Sequence, residues 1–400
     1  MKHERHVMIV VMNFDVVIVG GGLVGASLAA ALKHSGLTLA LVESQAATAL
    51  VDSHAPQWDS RVYAISPGSR NFLETTGAWS LLDKERIAPV EAMRVFGDTG
   101  AELDFSAYQM GVPELACIVE NRALQRALWQ MLQQQENLTL LHPARCSSLT
   151  CSDGWSSLTL EDGRVLGAKL IVGSDGRDSW VRKQAGISAA PVDYEQYGVV
   201  ANFTTEQAHR GIAHQWFQSD GILALLPLPD NRVSMVWSVS PEKSKRLLGM
   251  ARDELCAHVE AASHHTLGKL GLITPPSAFP LQMLMLPKIT ASRMALIGDA
   301  AHNMHPLAGQ GVNTGFRDAR QLARILGDRG AQNDCGDARL LRSYERKRKE
   351  DIYTMQATTY GLKHLFNNDV PPLRVLRNMG LTTTNRLLPV KKFLMQHALQ

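Results

Sequence analysis

The chain has 400 residues, of which 45% are hydrophobic and 20% carry a charged side chain. This composition is typical of a globular protein with two or three domains, and it argues against a disordered or fibrous chain. The formal net charge of +3 is too small to indicate a nucleic-acid-binding protein. The five cysteines are scattered and form no Cys-x-x-Cys pair, so neither a disulfide framework nor a metal site is expected.

The N-terminal segment resembles a targeting signal only superficially. A basic start at residues 1–5 precedes an apolar run at residues 7–11, but Asn13 and Asp15 interrupt the run and no cleavage site follows. No window of about 18 uninterrupted apolar residues occurs, so no membrane-spanning helix is predicted. A cytoplasmic protein is expected, either soluble or peripheral at the inner face of the membrane.

The first motif is a Gly-rich turn inside a strand-helix-strand pattern that covers residues 14–43. Gly20 permits the turn, Gly22 lets a pyrophosphate approach backbone amides, and Gly25 allows the helix to pack closely on the strand. Glu43 ends the second strand, 18 residues after Gly25, and can accept hydrogen bonds from a ribose. The unit predicts a dinucleotide-binding site, and it leaves FAD and NAD equally open.

Two polar side chains in the next segments are candidate ligand contacts. Arg61 follows a polar, loop-like stretch and can meet a phosphate or a flavin ring, although its local sequence favours an ordinary solvated arginine. Gln125 lies off the apolar stripe of a helix that is predicted from residue 121, so it can reach a ligand. Between them, residues 89–107 alternate apolar and polar positions, which predicts strands of a different, antiparallel sheet.

The middle of the chain first repeats the motif and then changes character. In residues 169–176 a buried strand ends in small residues and Asp175, and a helix follows. Residues 190–287 contain strand-like runs separated by turn signals, and a helix is predicted over residues 241–262. We expect an inserted sheet that faces the dinucleotide domain and encloses a cavity suited to a small or apolar substrate.

The last motif spans residues 296–315. A buried strand leads into a Gly-Asp turn at Asp299, Pro306 bends the chain, and a Gly-rich segment enters a helix predicted from about residue 312. Backbone amides at such a helix N-terminus favour negative charge. We expect the three strand-to-helix junctions to line one ligand at the carboxyl ends of a parallel sheet.

Together the three motifs resemble the FAD-dependent aromatic hydroxylases of the para-hydroxybenzoate hydroxylase type. Within them, the chain is most similar to the ubiquinone-biosynthesis hydroxylases of the UbiH/UbiF/UbiI group. The sequence His-Pro-Leu-Ala-Gly-Gln-Gly-Val-Asn at residues 305–313 is typical of that group. The resemblance implies an α/β fold, in which a Rossmann-type FAD-binding domain carries an inserted mixed or antiparallel β-sheet substrate domain and C-terminal helices.

The resemblance also implies the domain boundaries and the site residues. The implied ranges are 13–75, 118–187 and 288–360 for the discontinuous FAD-binding domain, 76–117 and 188–287 for the substrate domain, and 361–400 for a basic C-terminal helical segment. The implied FAD-binding residues are Gly20, Gly22, Gly25, Glu43, Arg61, Gln125, Asp175, Asp299, Gly311, Val312 and Asn313. Flavin positioning is implied for Pro306, Gly309 and Gly311, and for His302 and His305 a positioning role at most.

The implied activity is hydroxylation of the aromatic ring of a polyprenylated phenol or quinol in ubiquinone biosynthesis, through a flavin C4a-hydroperoxide. FAD is the implied cofactor, O2 the co-substrate, NAD(P)H the electron donor, and other ubiquinone-biosynthesis proteins the partners. Two alternatives stay open: a flavin monooxygenase that acts on another aromatic or prenyl compound, and a non-catalytic flavoprotein that serves as a scaffold.

The C-terminal segment has a distinct composition. Residues 371–400 contain no acidic residue, five Lys or Arg residues and several apolar ones. Two interpretations are open: a helix docked on the FAD-binding domain, or a surface that contacts anionic lipid or a partner complex.

Overall fold

The computed structural model describes residues 11–46, 57–97, 101–152, 154–303, 310–330 and 333–366. His305, Pro306, Gly309 and the segment 371–400, which the sequence analysis singled out, lie outside these ranges. Within the described ranges, no helix is long and apolar enough to cross a membrane.

The strands follow one another along the chain in short segments. They are β1 (Val11–Val19), β2 (Leu39–Val42), β3 (Val62–Ile65), β4 (Ala88–Val90), β5 (Ala92–Phe96), β6 (Glu102–Ser106), β7 (Ala116–Glu120), β8 (Leu138–Leu141), β9 (Cys146–Cys151), β10 (Ser156–Leu160), β11 (Val165–Gly173), β12 (Ala190–Thr205), β13 (Ile212–Gln218), β14 (Gly221–Leu228), β15 (Arg232–Val239), β16 (Leu270–Leu272), β17 (Ser277–Met285), β18 (Thr290–Ala291) and β19 (Met294–Leu296).

The helices lie between these strands and at the end of the described chain. They are α1 (Leu23–Ala31), α2 (Pro67–Thr75), α3 (Ala107–Met110), α4 (Asn121–Gln133), α5 (Trp180–Gln184), α6 (Pro241–Gly249), α7 (Arg252–Ala262), α8 (Gln310–Gly327) and α9 (Ala338–Phe366).

The first sheet is built around β1, whose central residues Val16, Val17 and Ile18 are fully buried. β1 pairs in parallel with β2 on one side and with β11 on the other, and the order β19–β11–β1–β2–β8 is parallel throughout. Such strands are covered on both faces, which explains why their sequences are continuous apolar runs. β18 and the β9–β10 hairpin join this sheet with antiparallel pairing.

The parallel strands of this sheet end at a common edge. Val19 is aligned with Val42 and with Gly173, and Gly173 is aligned with Leu296. The segments that follow these residues carry the three motifs found in the sequence. The motifs therefore lie side by side at the carboxyl ends of parallel strands, where α/β proteins bind their ligands.

The second sheet has the order β16–β12–β15–β14–β13–β5–β6, and β17 also pairs with β12. Neighbouring strands are antiparallel except β13 and β5, which are parallel. Helices α6 and α7 cover one face, where Trp237, Leu247 and Leu255 belong to one buried apolar cluster. The prediction of a single helix over residues 241–262 is wrong, because the backbone is extended at Met250 and two helices form.

A small third sheet, β3–β7–β4, lies between the other two. Its residues Ala88, Val90 and Ile118 share a buried apolar cluster with Ala213 and Leu228 of the second sheet. The third sheet thus fixes the second sheet to the chain segment that carries Arg61. The domain boundaries implied by the resemblance stay a prediction.

Candidate active site

The first Gly-rich turn requires glycine at two positions for steric reasons. Gly20 has a φ of +102°, and a Cβ at this position would lie 2.4 Å from the carbonyl oxygen of Ser174. A Cβ on Gly25 would lie 2.0 Å from the carbonyl oxygen of Gly20. The Ser174 hydroxyl donates to the Gly20 carbonyl at 2.6 Å. The ends of β1 and β11 are thereby held in close contact beneath the first turn of α1.

The N-terminus of α1 is open to an anionic ligand. Its N-cap residue is Gly22, no side chain caps the helix, and its first turn contains no acidic residue. A Cβ on Gly22 would meet no atom within 4 Å. Backbone amides at such an end attract negative charge, and a phosphate group is the usual ligand.

Glu43 lies beside this turn, as the strand-helix-strand pattern predicts. Its Oε2 atom accepts a hydrogen bond from the Gly21 amide at 2.7 Å, and its Oε1 atom accepts one from the Gln45 amide at 2.8 Å. The carboxylate is half-buried. It therefore both orients the Gly-rich turn and remains in reach of a ligand bound there.

The carbonyl oxygen of Gly21 is fixed from the other side by α4. Gln125 Nε2 and Trp129 Nε1 both donate to it, at 2.6 Å and 2.8 Å. Gln125 therefore acts on the turn itself, and it is almost fully buried. The sequence analysis did not single out Trp129. The available signal was the spacing of four residues between the two donors, which places them on one face of a helix.

Asp299 occupies the turn that follows β19. The preceding Gly298 has a φ of +59°, in the left-handed region that glycine adopts without strain. The Asp299 side chain keeps solvent access but is recessed among protein atoms. This desolvation raises the pKa of Asp299, while His302, Arg61 and Arg177 act in the opposite direction.

Arg61 reaches this same end of the site. Its guanidinium lies 5.5 Å from the centre of the Tyr63 ring, and the side chain is exposed. The fold thus brings Arg61 near Asp299, from segments that are far apart in the sequence. An exposed cation at the carboxyl edge of the sheet can contact a bound anion.

Asp175 has both carboxylate oxygens engaged within the protein. Ser179 Oγ donates to Oδ1 at 2.5 Å, and the amide of Val181 donates to Oδ2 at 3.0 Å. These bonds fix the short helix α5 to the end of β11. In this geometry Asp175 orders the backbone around the site, and contact of its carboxylate with a ligand stays a prediction.

The beginning of α8 combines an open glycine with a buried asparagine. A Cβ on Gly311 would meet no atom within 4 Å, and Val312 packs at the edge of the main core. Asn313 is fully buried, accepts a hydrogen bond from the Ser66 amide at 3.0 Å and donates to the Ala64 carbonyl at 2.8 Å. Its side chain fixes α8 to the β3–α2 turn. Because the side chain is engaged in these bonds, a cofactor contact of Asn313 would be made by its backbone.

These features fit a dinucleotide, in which a negatively charged pyrophosphate joins two parts that carry polar groups. The uncapped α1 amides and the free space at Gly22 suit a pyrophosphate. A second part of the same sheet edge, away from the α1 N-terminus, carries Asp299, Arg61 and the first turn of α8. The residues present therefore fit FAD.

Comparison with known proteins shows the family. The family model described as an FAD binding domain matches residues 13–358. The chain belongs to this family of FAD-binding proteins. FAD is its cofactor, and the α/β fold implied by the sequence is confirmed.

Relatives within the family are ubiquinone hydroxylases. The chain is 36% identical over 386 residues to ubiquinone hydroxylase UbiL of Rhodospirillum rubrum, covering 96% of this chain and 89% of that protein. It is 34% identical over 388 residues to 3-demethoxyubiquinol 3-hydroxylase of Escherichia coli, covering 96% and 98%. Its fold is similar to that of PqsL from Pseudomonas aeruginosa, with a TM-score of 0.76 and 23% identity over 93% of this chain and 100% of PqsL.

The comparisons confirm two further parts of the sequence analysis. The resemblance to FAD-dependent aromatic hydroxylases of ubiquinone biosynthesis is correct, and the enzyme class is that of the FAD-dependent monooxygenases. The roles of individual residues toward FAD stay predictions.

Proposed function

We propose that this family member hydroxylates the aromatic ring of a polyprenylated phenol or quinol in ubiquinone biosynthesis. The observation that carries this proposal is the similarity to ubiquinone hydroxylases, which extends over 96% of the chain at 34–36% identity. The Gly-rich turn, Glu43 and Asp299 occupy one edge of the sheet, as a shared FAD site requires. O2 is the co-substrate in this proposal, and NAD(P)H is the electron donor.

The proposed FAD site has two ends, which bind different parts of the cofactor. At the first end, the amides of α1 hold the pyrophosphate beside Gly22, and Glu43 accepts hydrogen bonds from the adenosine ribose. At the second end, Asp299 and Arg61 contact the polar chain and ring edge of the cofactor. Gly311 and Val312 present backbone amides, and Asp175, Gln125 and Asn313 order the surrounding backbone. Pro306 and Gly309 are proposed to position the flavin.

When bound, FAD supplies the oxygen-activating redox chemistry. The protein contributes binding, orientation and the exclusion of water. The positive end of α8 stabilises negative charge on the ring system by about 1–2 kcal/mol in a partly buried site. The second sheet is proposed to cover the reacting ring, with the domain ranges that the resemblance implies.

The activity is tested with purified, FAD-loaded protein. We expect a prenylated phenol to accelerate NAD(P)H oxidation and to be recovered with one added oxygen atom by mass spectrometry. In a deletion strain, quinone profiling should show a prenylated ring that lacks one hydroxyl or methoxyl group. A yellow protein that neither oxidises NAD(P)H nor alters any prenylated phenol would instead support a scaffold role.

We also propose that the basic segment 371–400 brings the enzyme to anionic lipid, where a polyprenylated substrate resides. The full chain should bind liposomes that contain anionic lipid, and deletion of residues 371–400 should abolish this binding while FAD stays bound. Unchanged liposome binding by a folded deletion variant would contradict the membrane role.

A further inference from the structure

A buried carboxylate lies directly behind the Asp299 turn. Asp318 of α8 is fully buried and accepts hydrogen bonds from three donors. They are the Gly298 amide at 2.9 Å, His302 Nε2 at 2.6 Å and Arg348 Nε at 2.6 Å. The sequence analysis gave no role to Asp318 or Arg348.

Two of these donors flank Asp299. Gly298 directly precedes it, and His302 closes the same turn three residues later. Inside the turn, the amides of Ala301 and His302 both donate to the Gly298 carbonyl, at 2.8 Å and 3.0 Å. Asp318 therefore holds both ends of a closed turn, and Asp299 lies between the two points of attachment.

The charge of Asp318 is compensated within the same buried network. Burial opposes ionisation, but His302 and Arg348 lower the pKa of Asp318 below its ordinary value. Arg348 also pairs with Asp351 Oδ2 at 2.6 Å, and Arg317 pairs with Asp351 Oδ1 at 2.9 Å. A buried network of paired charges of this kind holds its members in one geometry.

Asp299 differs from Asp318 in its surroundings. Its side chain keeps solvent access at the carboxyl edge of the sheet, whereas Asp318 is enclosed by α8, α9 and the turn. Asp318 thus cannot reach a bound dinucleotide, but Asp299 can. A shift of the turn would move the Asp299 carboxylate relative to the cofactor, and a hydrogen bond weakens when its length and angle depart from the preferred range.

We propose that Asp318 is a positioning residue for FAD binding, acting through His302 and the Gly298 amide to fix the orientation of the Asp299 carboxylate. The inference rests on the proposed contact between Asp299 and FAD. It assigns a function to a buried residue that does not touch the cofactor.

A double-mutant cycle on FAD affinity tests this proposal without substrate or turnover. The dissociation constant of FAD is measured by flavin fluorescence for the wild type, Asp318→Asn, Asp299→Asn and the double variant. We expect Asp318→Asn to weaken FAD binding about tenfold in the wild-type background and less than about threefold in the Asp299→Asn background. Equal losses in both backgrounds would overturn the proposal, because Asp318 would then act independently of Asp299.

Matched measurements separate positioning from general stability. Asp328→Asn, at an exposed position directly after α8, should leave FAD affinity unchanged. Thermal unfolding of the FAD-free proteins reports the structural cost of each substitution. If Asp318→Asn does not fold, His302→Gln replaces it in the same cycle with the same expected non-additivity. If Asp299→Asn binds FAD normally, the proposed Asp299 contact fails, and the inference falls with it.

Discussion

Val24 of α1 packs directly against Gly315 of α8, and a Cβ on Gly315 would lie 2.6 Å from Val24 Cγ2. Gly298 lies against the same side chain, with its hypothetical Cβ 3.1 Å from Val24 Cγ2. The first and last Gly-rich motifs of the chain are thus joined through one valine. This contact sets the separation between the two ends of the proposed FAD site.

We predict that Gly315→Ala destabilises the FAD-free protein. The added methyl group would overlap the stiff, β-branched Val24 side chain, and overpacking of this kind costs about 1–3 kcal/mol. Chemical denaturation measures the loss. Gly327→Ala in the same helix is the matched control, because its Cβ would meet no atom within 4 Å. Val24→Ala should restore stability to the Gly315→Ala protein, and failure to do so would contradict the contact.

Substitutions of Gly22 and Gly25 should have different effects, the first on FAD binding and the second on folding. Gly22→Val places a side chain in open space, so the FAD-free protein should fold with nearly unchanged stability but lose FAD. Gly25→Ala should reduce folded protein even without FAD, because its Cβ would lie 2.0 Å from the Gly20 carbonyl oxygen. Thermal unfolding and FAD content of the purified proteins distinguish the two. Normal FAD content in Gly22→Val would mean that the pyrophosphate lies elsewhere.

Asn313→Ala should act mainly on stability. It removes a partner of the buried Ser66 amide and of the partly buried Ala64 carbonyl. Each buried polar group left without a partner costs about 1–3 kcal/mol. We expect this loss in denaturant unfolding of the FAD-free protein, whereas Asn231→Ala in an exposed turn should cost much less. An Asn313→Ala protein of normal stability would show that these two bonds contribute little.

His214 should make the protein sensitive to acid. Burial beside Phe96 and Trp216, together with the electrostatic effect of Arg94 and His209, lowers the pKa of His214 from 6.5 to about 4. Between these pH values, His214 binds more protons in the unfolded chain than in the folded chain. The contribution of neutral His214 to the free energy of unfolding is therefore complete above pH 6.5 and is lost as the pH falls toward 4.

The matching variant is His214→Phe, which keeps the ring stack and removes the titrating group. Between pH 7 and pH 4.5, its free energy of unfolding should fall by about 2–3 kcal/mol less than that of the wild type. Urea unfolding at both pH values measures this difference. Parallel pH dependence in the two proteins would contradict the pKa assignment.

Local sequence patterns were sufficient to predict the Gly-rich motifs and the parallel sheet. The apolar run of β1, the glycines that follow it and the acidic Glu43 each depend on neighbours within one strand-helix-strand unit. The local sequence of this unit is therefore enough to predict its structure. The family resemblance then supplied the cofactor and the enzyme class, which the comparisons confirm.

Only the tertiary structure decided how distant residues are connected. The contacts of Trp129 with Gly21, of Asn313 with Ser66 and of Asp318 with His302 join separate segments. Apart from the four-residue spacing of Gln125 and Trp129, no local periodicity distinguishes these polar side chains from others on their helices. Their roles follow from burial, because a polar group removed from water needs a partner, and the packing of the folded chain determines which partner is within reach.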